Sequence, residues 1–227
     1  MTPRIVPRTD WLAERRALLA EEKAFNIARD ALSAKRRALP VVAIEKDYRF
    51  ATETGEASLA DLFDGRQQLI VYHFMFGSEW QEGCPSCSFW ADNFQGIGIH
   101  LAHRDTALIA VSKAPLDKLL AYRTRMGWTF PWVSSAANTF NEDFNVTFPD
   151  GAEGEYNYAP KRHNMTELPG ISVFIRDGDA VYHSYSTYAR GLDMLNGAYH
   201  FLDLTPLGRH EEGLDHTMSW LRRHDRY

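Results

Sequence analysis

The chain has 227 residues, 44 % hydrophobic and 24 % charged. That is enough for one domain with additions, able to bury a full core without staples. A formal net charge of -5 excludes nucleic acid as a general partner, and two cysteines exclude a disulfide scaffold.

The opening MTPRIVPRTDWLAERRALLA lacks the apolar core of a secretory signal. The longest apolar run, residues 69–76 interrupted by His73, is too short to cross a bilayer. Cytoplasmic residence with no membrane partner is the expectation.

The charge is uneven. Residues 1–40 hold nine Lys/Arg and five Asp/Glu, and the remainder sixteen and twenty-five. Residues 10–39 read as one long helix with Thr9 as N-cap and Pro40 as its stop. Trp11, Leu18, Phe25, Leu32 and Leu39 recur every seven residues and form a narrow apolar seam on a charged rod. Such a seam either packs on its own domain or pairs with a second copy in a homodimer. The expected division is an N-terminal helical arm over 1–40 and a main domain over 41–227 with a C-terminal extension.

After Pro40 the period changes. Residues 41–50 read as a strand, Thr54-Gly55-Glu56 as a turn, and Ser58 as the cap of a short helix ending at Asp64-Gly65. The run QLIVYHFMF, residues 68–76, predicts a strand buried on both faces. A loop over 77–83 leads to Cys84-Pro85-Ser86-Cys87 and a helix over 85–103. TALIAVS, residues 106–112, is a second buried strand, followed by an amphipathic helix over 115–126. A hairpin turns about Asp177-Gly178, and a last helix lies near 188–202. Residues 149–169 are long for a loop and form a candidate flap. This order implies an α/β sheet of four or five strands.

Cys84 follows a buried strand and opens a helix, with Pro85 at the first helical position where its missing N–H matters least. Free backbone N–H groups and the helix dipole favour an anion there, which lowers a thiol pKa. Cys87 lies one turn along the same face and is placed to resolve a mixed disulfide on Cys84. Glu79 and Glu82, with no Lys or Arg between residues 77 and 91, oppose this and predict a moderate nucleophile. Two inert core thiols are the plain alternative.

Zinc is a further one, because His100-x-x-His103 follows the cysteines. A continuous helix of about 15 residues, at about 1.5 Å per residue, would hold the histidines more than about 15 Å from Cys87, so no metal is expected. His73 reads as a core histidine, and Trp128, Phe130 and Trp132 as core or pocket wall.

With these elements in order, the chain resembles the thioredoxin-like superfamily, in its alkyl-hydroperoxide-reductase and thiol-specific-antioxidant branch. The segments that carry the likeness are YRFATETGEASLADLFDGRQQLIVYHFMF, TALIAVSKAPLDKLLAYRTRMGWTFPWVSS and LPGISVFIRDGDAVYHSYS. GCPSCSFW, STYARGLDMLNG, DLTPLGR and the terminal HDRY are similar to the bacterial family DUF899, described as predicted dithiol–disulfide oxidoreductases.

The resemblance implies a thioredoxin-like central mixed sheet flanked by helices. It assigns the redox motif to Cys84 and Cys87, the superfamily's cis-proline to Pro169, and substrate contacts to Pro169, Trp80 and Pro85. Departures count against efficient peroxidase chemistry. Gln81 and Gly77 stand where peroxiredoxins carry Thr and Pro, and Arg123 or Arg125 is the candidate for the later arginine, with no motif behind either. Gly83 stands where thioredoxins carry Trp.

The expected function is thiol–disulfide exchange on a protein or small-molecule disulfide, without a bound cofactor. A weak thiol peroxidase and a non-catalytic binding protein are the alternatives.

Overall fold

The computed structural model describes residues 4–162 and 164–227. The chain divides into two units, residues 1–40 and 41–227. The first holds one helix, α1 (Arg8–Arg37). Asp10 in its first turn and Lys35, Arg36 and Arg37 in its last complement the helix dipole. Pro7 occupies the N-cap position, so Thr9 lies inside the helix and is not its cap.

The second unit is built on a mixed sheet of eight strands. Its elements in chain order are β1 (Val42–Ala43), β2 (Arg49–Thr52), β3 (Gly55–Ser58), β4 (Gln68–His73), α2 (Pro85–Ala91), α3 (Ile97–Ala102), β5 (Thr106–Ser112) and α4 (Leu116–Arg125). These are followed by β6 (Trp132–Ser134), α5 (Phe140–Asp143), β7 (Glu155–Tyr156), β8 (Ala159–Pro160), β9 (Gly170–Asp177), β10 (Ala180–Tyr188) and α6 (Gly197–Asp203). The sheet order is β1-β10-β9-β4-β5-β6-β2-β3, with β7 and β8 a separate hairpin.

Strands β4, β5 and β6 run parallel, whereas β9 lies antiparallel to β4 and turns back into β10. The Cys84–Cys87 segment thus follows the central strand, with a parallel neighbour on one side and the terminal hairpin on the other. This is the thioredoxin-like α/β arrangement.

Strand β4 is continuously apolar because both faces are covered. Leu69 and Val71 pack with Phe140, Phe144 and Phe174 on one face. Tyr72 joins Trp90, Phe94 and Leu192 on the other, together with Phe74 and Phe76 just beyond the strand. Phe174 is fully buried and meets Phe144, Phe140 and His183 ring to ring. Phe174→Ala is expected to remove about 3–5 kcal/mol of stability, because neighbours on a packed sheet face collapse poorly into the cavity. A denaturant titration reads this directly, and a loss below about 1 kcal/mol would contradict the packing described.

Three expectations differ from the structure. The strand expected over 41–50 is two short strands at opposite flanks of the sheet, β1 on β10 and β2 on β6, with polar residues crossing between them. Lys46 and Tyr48 in that crossing bond to Asp143, at 2.6 and 2.7 Å. Among the described residues the sheet therefore has eight strands in place of four or five.

The helix expected over 85–103 breaks after a 3₁₀ turn at Asp92–Phe94, where Gln95 is extended and Gly96 takes a left-handed φ of 82°. The side chain of Asp92 accepts from Trp128 Nε1 at 2.8 Å, and Asn93 turns back onto the carbonyls of Phe89 and Trp90. The straight rod invoked against zinc is thus absent. Among the described residues no group of three or more His, Cys, Asp or Glu is placed to hold a metal ion.

The helix expected over 188–202 is a 3₁₀ segment, Ala189–Leu195, followed by α6. The buried Asn196 caps α6 by accepting from Tyr199 N at 3.1 Å. No helix among the described residues is long and apolar enough to cross a membrane.

Candidate functional site

The loop after β4 brings Cys84 back beside that strand, and Cys84 N donates to Met75 O at 3.1 Å. Cys84 takes the N-cap position of α2 with extended dihedrals (φ -56°, ψ 132°), and Pro85 follows as the first helical residue. Gly83 is required there. A Cβ at Gly83 would lie 2.7 Å from the Phe74 ring and 2.9 Å from the Tyr122 ring.

Cys87, one turn along, is buried, and its Sγ accepts from Met75 N at 3.4 Å. Cys84 is half-buried, and both thiols are free.

The two thiols are inequivalent. The Cys87 thiol donates a hydrogen bond to Cys84, and the N–H groups of Cys87 and Ser86 add to it. Together they outweigh burial and lower Cys84 to about 7. Burial first, then the hydrogen bond to Cys84 and its charge, push Cys87 well above its ordinary value. The Tyr72 hydroxyl and Met75 N pull in the opposite direction on Cys87.

The acidic loop does not act as the local sequence suggests. Glu82 is held below the usual carboxylate range by Arg125, with Arg223 and Arg226 adding to the effect. Arg223 lies 2.9 Å and Arg226 3.4 Å from its carboxylate. Glu82 is therefore a neutralised anchor rather than a bare anion beside Cys84. Glu79 is exposed.

A cavity of about 1000 Å³ opens beside Cys87. Its inner wall is Tyr72, Met75, Trp90 and Leu192, and its outer part carries charges such as Arg209 and Glu211. Arg209 lies 3.9 Å over the Tyr199 ring while bonded to Asp193 and Asp203. Glu211 accepts from Tyr199, Trp220 and the Met218 N–H.

Pro169 lines this cavity together with Cys87. No peptide bond among the described residues is cis, so the cis-proline expected at 169 is trans. As the residue before β9, Pro169 forfeits no ladder bond through its missing N–H. Its carbonyl accepts from Tyr156 Oη at 2.7 Å, and Tyr156 in turn accepts from Ala189 N at 3.0 Å. Tyr156 thereby ties the β7–β8 hairpin to Pro169, which lies beside Cys87.

Trp80 does not line the cavity. Its indole lies over Gly77, where an added Cβ would sit 3.1 Å away, and its carbonyl accepts from Lys118. Arg123 and Arg125 are engaged with Glu53 and with Glu82 and Asp225. His73 is a core residue bonded to Ser172 at 2.8 Å, and Trp128, Phe130 and Trp132 are buried.

Sequence reasoning missed Tyr72, Tyr156, Tyr199 and Arg223. Within the apolar run of β4 a tyrosine reads as core. The other three reach the site only through long-range contacts.

A model of the family described as "Bacterial protein of unknown function (DUF899)" matches residues 1–227. No curated protein matches the sequence. Among solved structures, the chain is similar to the peroxidoxin BcpB of Mycobacterium tuberculosis, at 14 % identity and a TM-score of 0.48, over 70 % of this chain and 94 % of that one. It is similar to peroxiredoxin Q of Xanthomonas campestris at 12 % identity and a TM-score of 0.46, over 66 % and 87 %. For the mitochondrial 2-Cys peroxiredoxin of Plasmodium falciparum the identity is 14 % and the TM-score 0.43, over 70 % and 92 %. The likeness is one of fold alone, and no chemistry transfers across such distances.

Proposed function

This chain belongs to the DUF899 family over its whole length, and we propose that it is a thiol–disulfide oxidoreductase in which Cys84 attacks and Cys87 resolves. The observation that carries this reading is the placement of two free thiols at the start of α2, Cys84 half-buried at the N-cap and Cys87 buried one turn along. The donors of α2 lower the pKa of the first, and burial raises that of the second.

The Cys84 thiolate attacks one sulfur of a substrate disulfide, forming a mixed disulfide and expelling the other half as a thiolate. That step removes the negative charge and the hydrogen-bond acceptor that had kept the proton on Cys87. Tyr72 and the Met75 N–H remain to stabilise a Cys87 thiolate. Cys87 gives its proton to the released thiolate and attacks Cys84 Sγ. The second half of the substrate leaves as a thiolate, and a Cys84–Cys87 disulfide remains. Two electrons and one proton pass from the pair to the substrate, the second leaving thiolate takes its proton from solvent, and an external dithiol reduces the Cys84–Cys87 disulfide again. The substrate is a protein or small-molecule disulfide, and the cavity beside Cys87 has room for the part of it that does not react.

Reaction of the reduced protein with excess small aromatic disulfide tests this. The expected result is two leaving thiols released per chain and no alkylatable cysteine remaining. Two cysteines that stay alkylatable, with no thiol released, would reject the reading in favour of inert core thiols.

A further inference from the structure

The C-terminal tail reaches the backbone on both sides of Cys84. The guanidinium of Arg223 donates twice to Gly83 O, from Nη2 at 2.7 Å and Nε at 3.2 Å. The same Nε lies 2.9 Å from Tyr122 Oη. Tyr122 Oη is 2.9 Å from Ser88 Oγ, and Ser88 Oγ donates to Cys84 O at 2.9 Å. Both carbonyls that flank Cys84 are therefore tied to one side chain, directly on one side and through Tyr122 and Ser88 on the other.

The tail is held in place by further pairs. Asp225 accepts from Arg125 at 2.7 Å, and His224 Nδ1 lies 2.7 Å from Asp92. The Arg223 side chain retains only 18 % of its exposure, and a planar fork matches this two-acceptor geometry as an ammonium cannot.

We infer that Arg223 is a positioning residue for the dithiol, holding the backbone around Cys84 so that its sulfur meets the donors of α2. The inference rests on the reading of Cys84 as the attacking thiol. The backbone N–H groups of Ser86 and Cys87 and the thiol of Cys87 stabilise a Cys84 thiolate only while the Gly83–Cys84–Pro85 backbone keeps its dihedrals. The charged and titratable groups around this point are Cys87 on α2, Tyr72 on β4, Tyr122 and Arg125 on α4, Glu82 on the loop, and Arg223 and Arg226 on the tail. The fork is distinct from the ion pair with Glu82, because Arg226 approaches the same carboxylate without a bond to either carbonyl.

Alkylation of Cys84 in the full chain, followed by peptide mass against pH, tests the assignment. The wild type should titrate with a midpoint near 7. Arg223→Gln should raise that midpoint by about one unit, towards the free-cysteine value of about 8.5, and slow alkylation at pH 6 about tenfold. Tyr122→Phe, which keeps the packed ring and removes the hydroxyl that links Arg223 to Ser88 while leaving the bonds from Arg223 to Gly83 O, should produce part of the rise. Arg223→Lys should fall between wild type and Arg223→Gln, and Arg226→Gln should leave the midpoint where it is. An unchanged midpoint in both Arg223→Gln and Tyr122→Phe would overturn the inference. Full recovery in Arg223→Lys, or an equal rise in Arg226→Gln, would also overturn it, since either would assign the effect to charge alone. A wild-type midpoint already at the free-cysteine value would instead reject the thiol–disulfide reading.

Discussion

Cys87→Ser is expected to accumulate a persistent mixed disulfide on Cys84 when mixed with a small disulfide, and Cys84→Ser to accumulate at least about tenfold less over the same interval. At pH 7 a thiol with a pKa near 7 is about half ionised, against about 3 % for one at 8.5. The lower pKa also weakens the intrinsic nucleophile, by about fivefold over that span, so ionisation alone favours Cys84 by only a few-fold over an ordinary thiol. Burial of Cys87 supplies the rest. Cys87 is only 2 % exposed, and removing the Cys84 charge leaves desolvation, the first cause of its raised pKa, in place. Serine at position 87 keeps a hydroxyl donor for the Cys84 thiolate, so trapping is retained while resolution is lost. Intact mass of both variants over time gives the comparison, and equal trapping would reject the assigned roles. Hydrogen peroxide should oxidise Cys84 slowly by comparison, since Gln81 is exposed and Arg123 and Arg125 are committed to carboxylates. Fast peroxide turnover with slow disulfide exchange would favour the peroxidase alternative.

What was legible in the sequence was whatever local pattern controls. The run at 68–76 announced a strand covered on both faces, and Asp177-Gly178 announced the terminal hairpin. Pro85 after Cys84 announced the N-terminus of α2. Three kinds of feature were not legible. The helix ends at an extended Gln95 and a left-handed Gly96, with the Asp92 side chain held by the distant Trp128, and the split of 41–50 goes with the bonds of Lys46 and Tyr48 to Asp143. Pro169 is trans, and its carbonyl is held by Tyr156, a long-range partner that the local sequence does not show. Charge around Cys84 was misread for the same reason. A scan of residues 77–91 finds two acids and no base, but Arg125 lies 43 residues from Glu82, and Arg223 lies 140 from Gly83. A local window sums charges, whereas the fold pairs them.

The stability of the protein is expected to be nearly independent of pH between about 4.5 and 6.5 as far as His73 and Glu167 are concerned, because the two buried groups pull in opposite directions. His73 is 1 % exposed, stacked against Phe140 and Phe144, with Nε2 on Ser172 and no partner for Nδ1 among the described residues. Burial, with a smaller contribution from His183, lowers it from 6.5 to about 3. The unfolded chain therefore binds a proton that the folded chain refuses between these values. Stability from His73 is complete above 6.5 and is lost as pH falls towards 3, by up to about 5 kcal/mol. Glu167 is 4 % exposed, and burial raises it from 4.5 to about 7 against the pull of Thr147 and Lys113. Here the folded chain keeps the extra proton. Its stability is complete below 4.5 and is lost as pH rises through 7, by up to about 3 kcal/mol. Over the shared window the slopes are about 1.4 kcal/mol per pH unit and of opposite sign. Below 4.5 only His73 still changes, and the fold weakens. Glu167→Gln should unmask the histidine, giving a stability that rises by about 3 kcal/mol from pH 4.5 to 6.5 relative to wild type. His73→Gln should unmask the glutamate and fall by a similar amount over the same range. Urea midpoints at half-unit pH steps, at constant m, measure both, and variant curves that run parallel to wild type would show that neither group titrates across the folding transition.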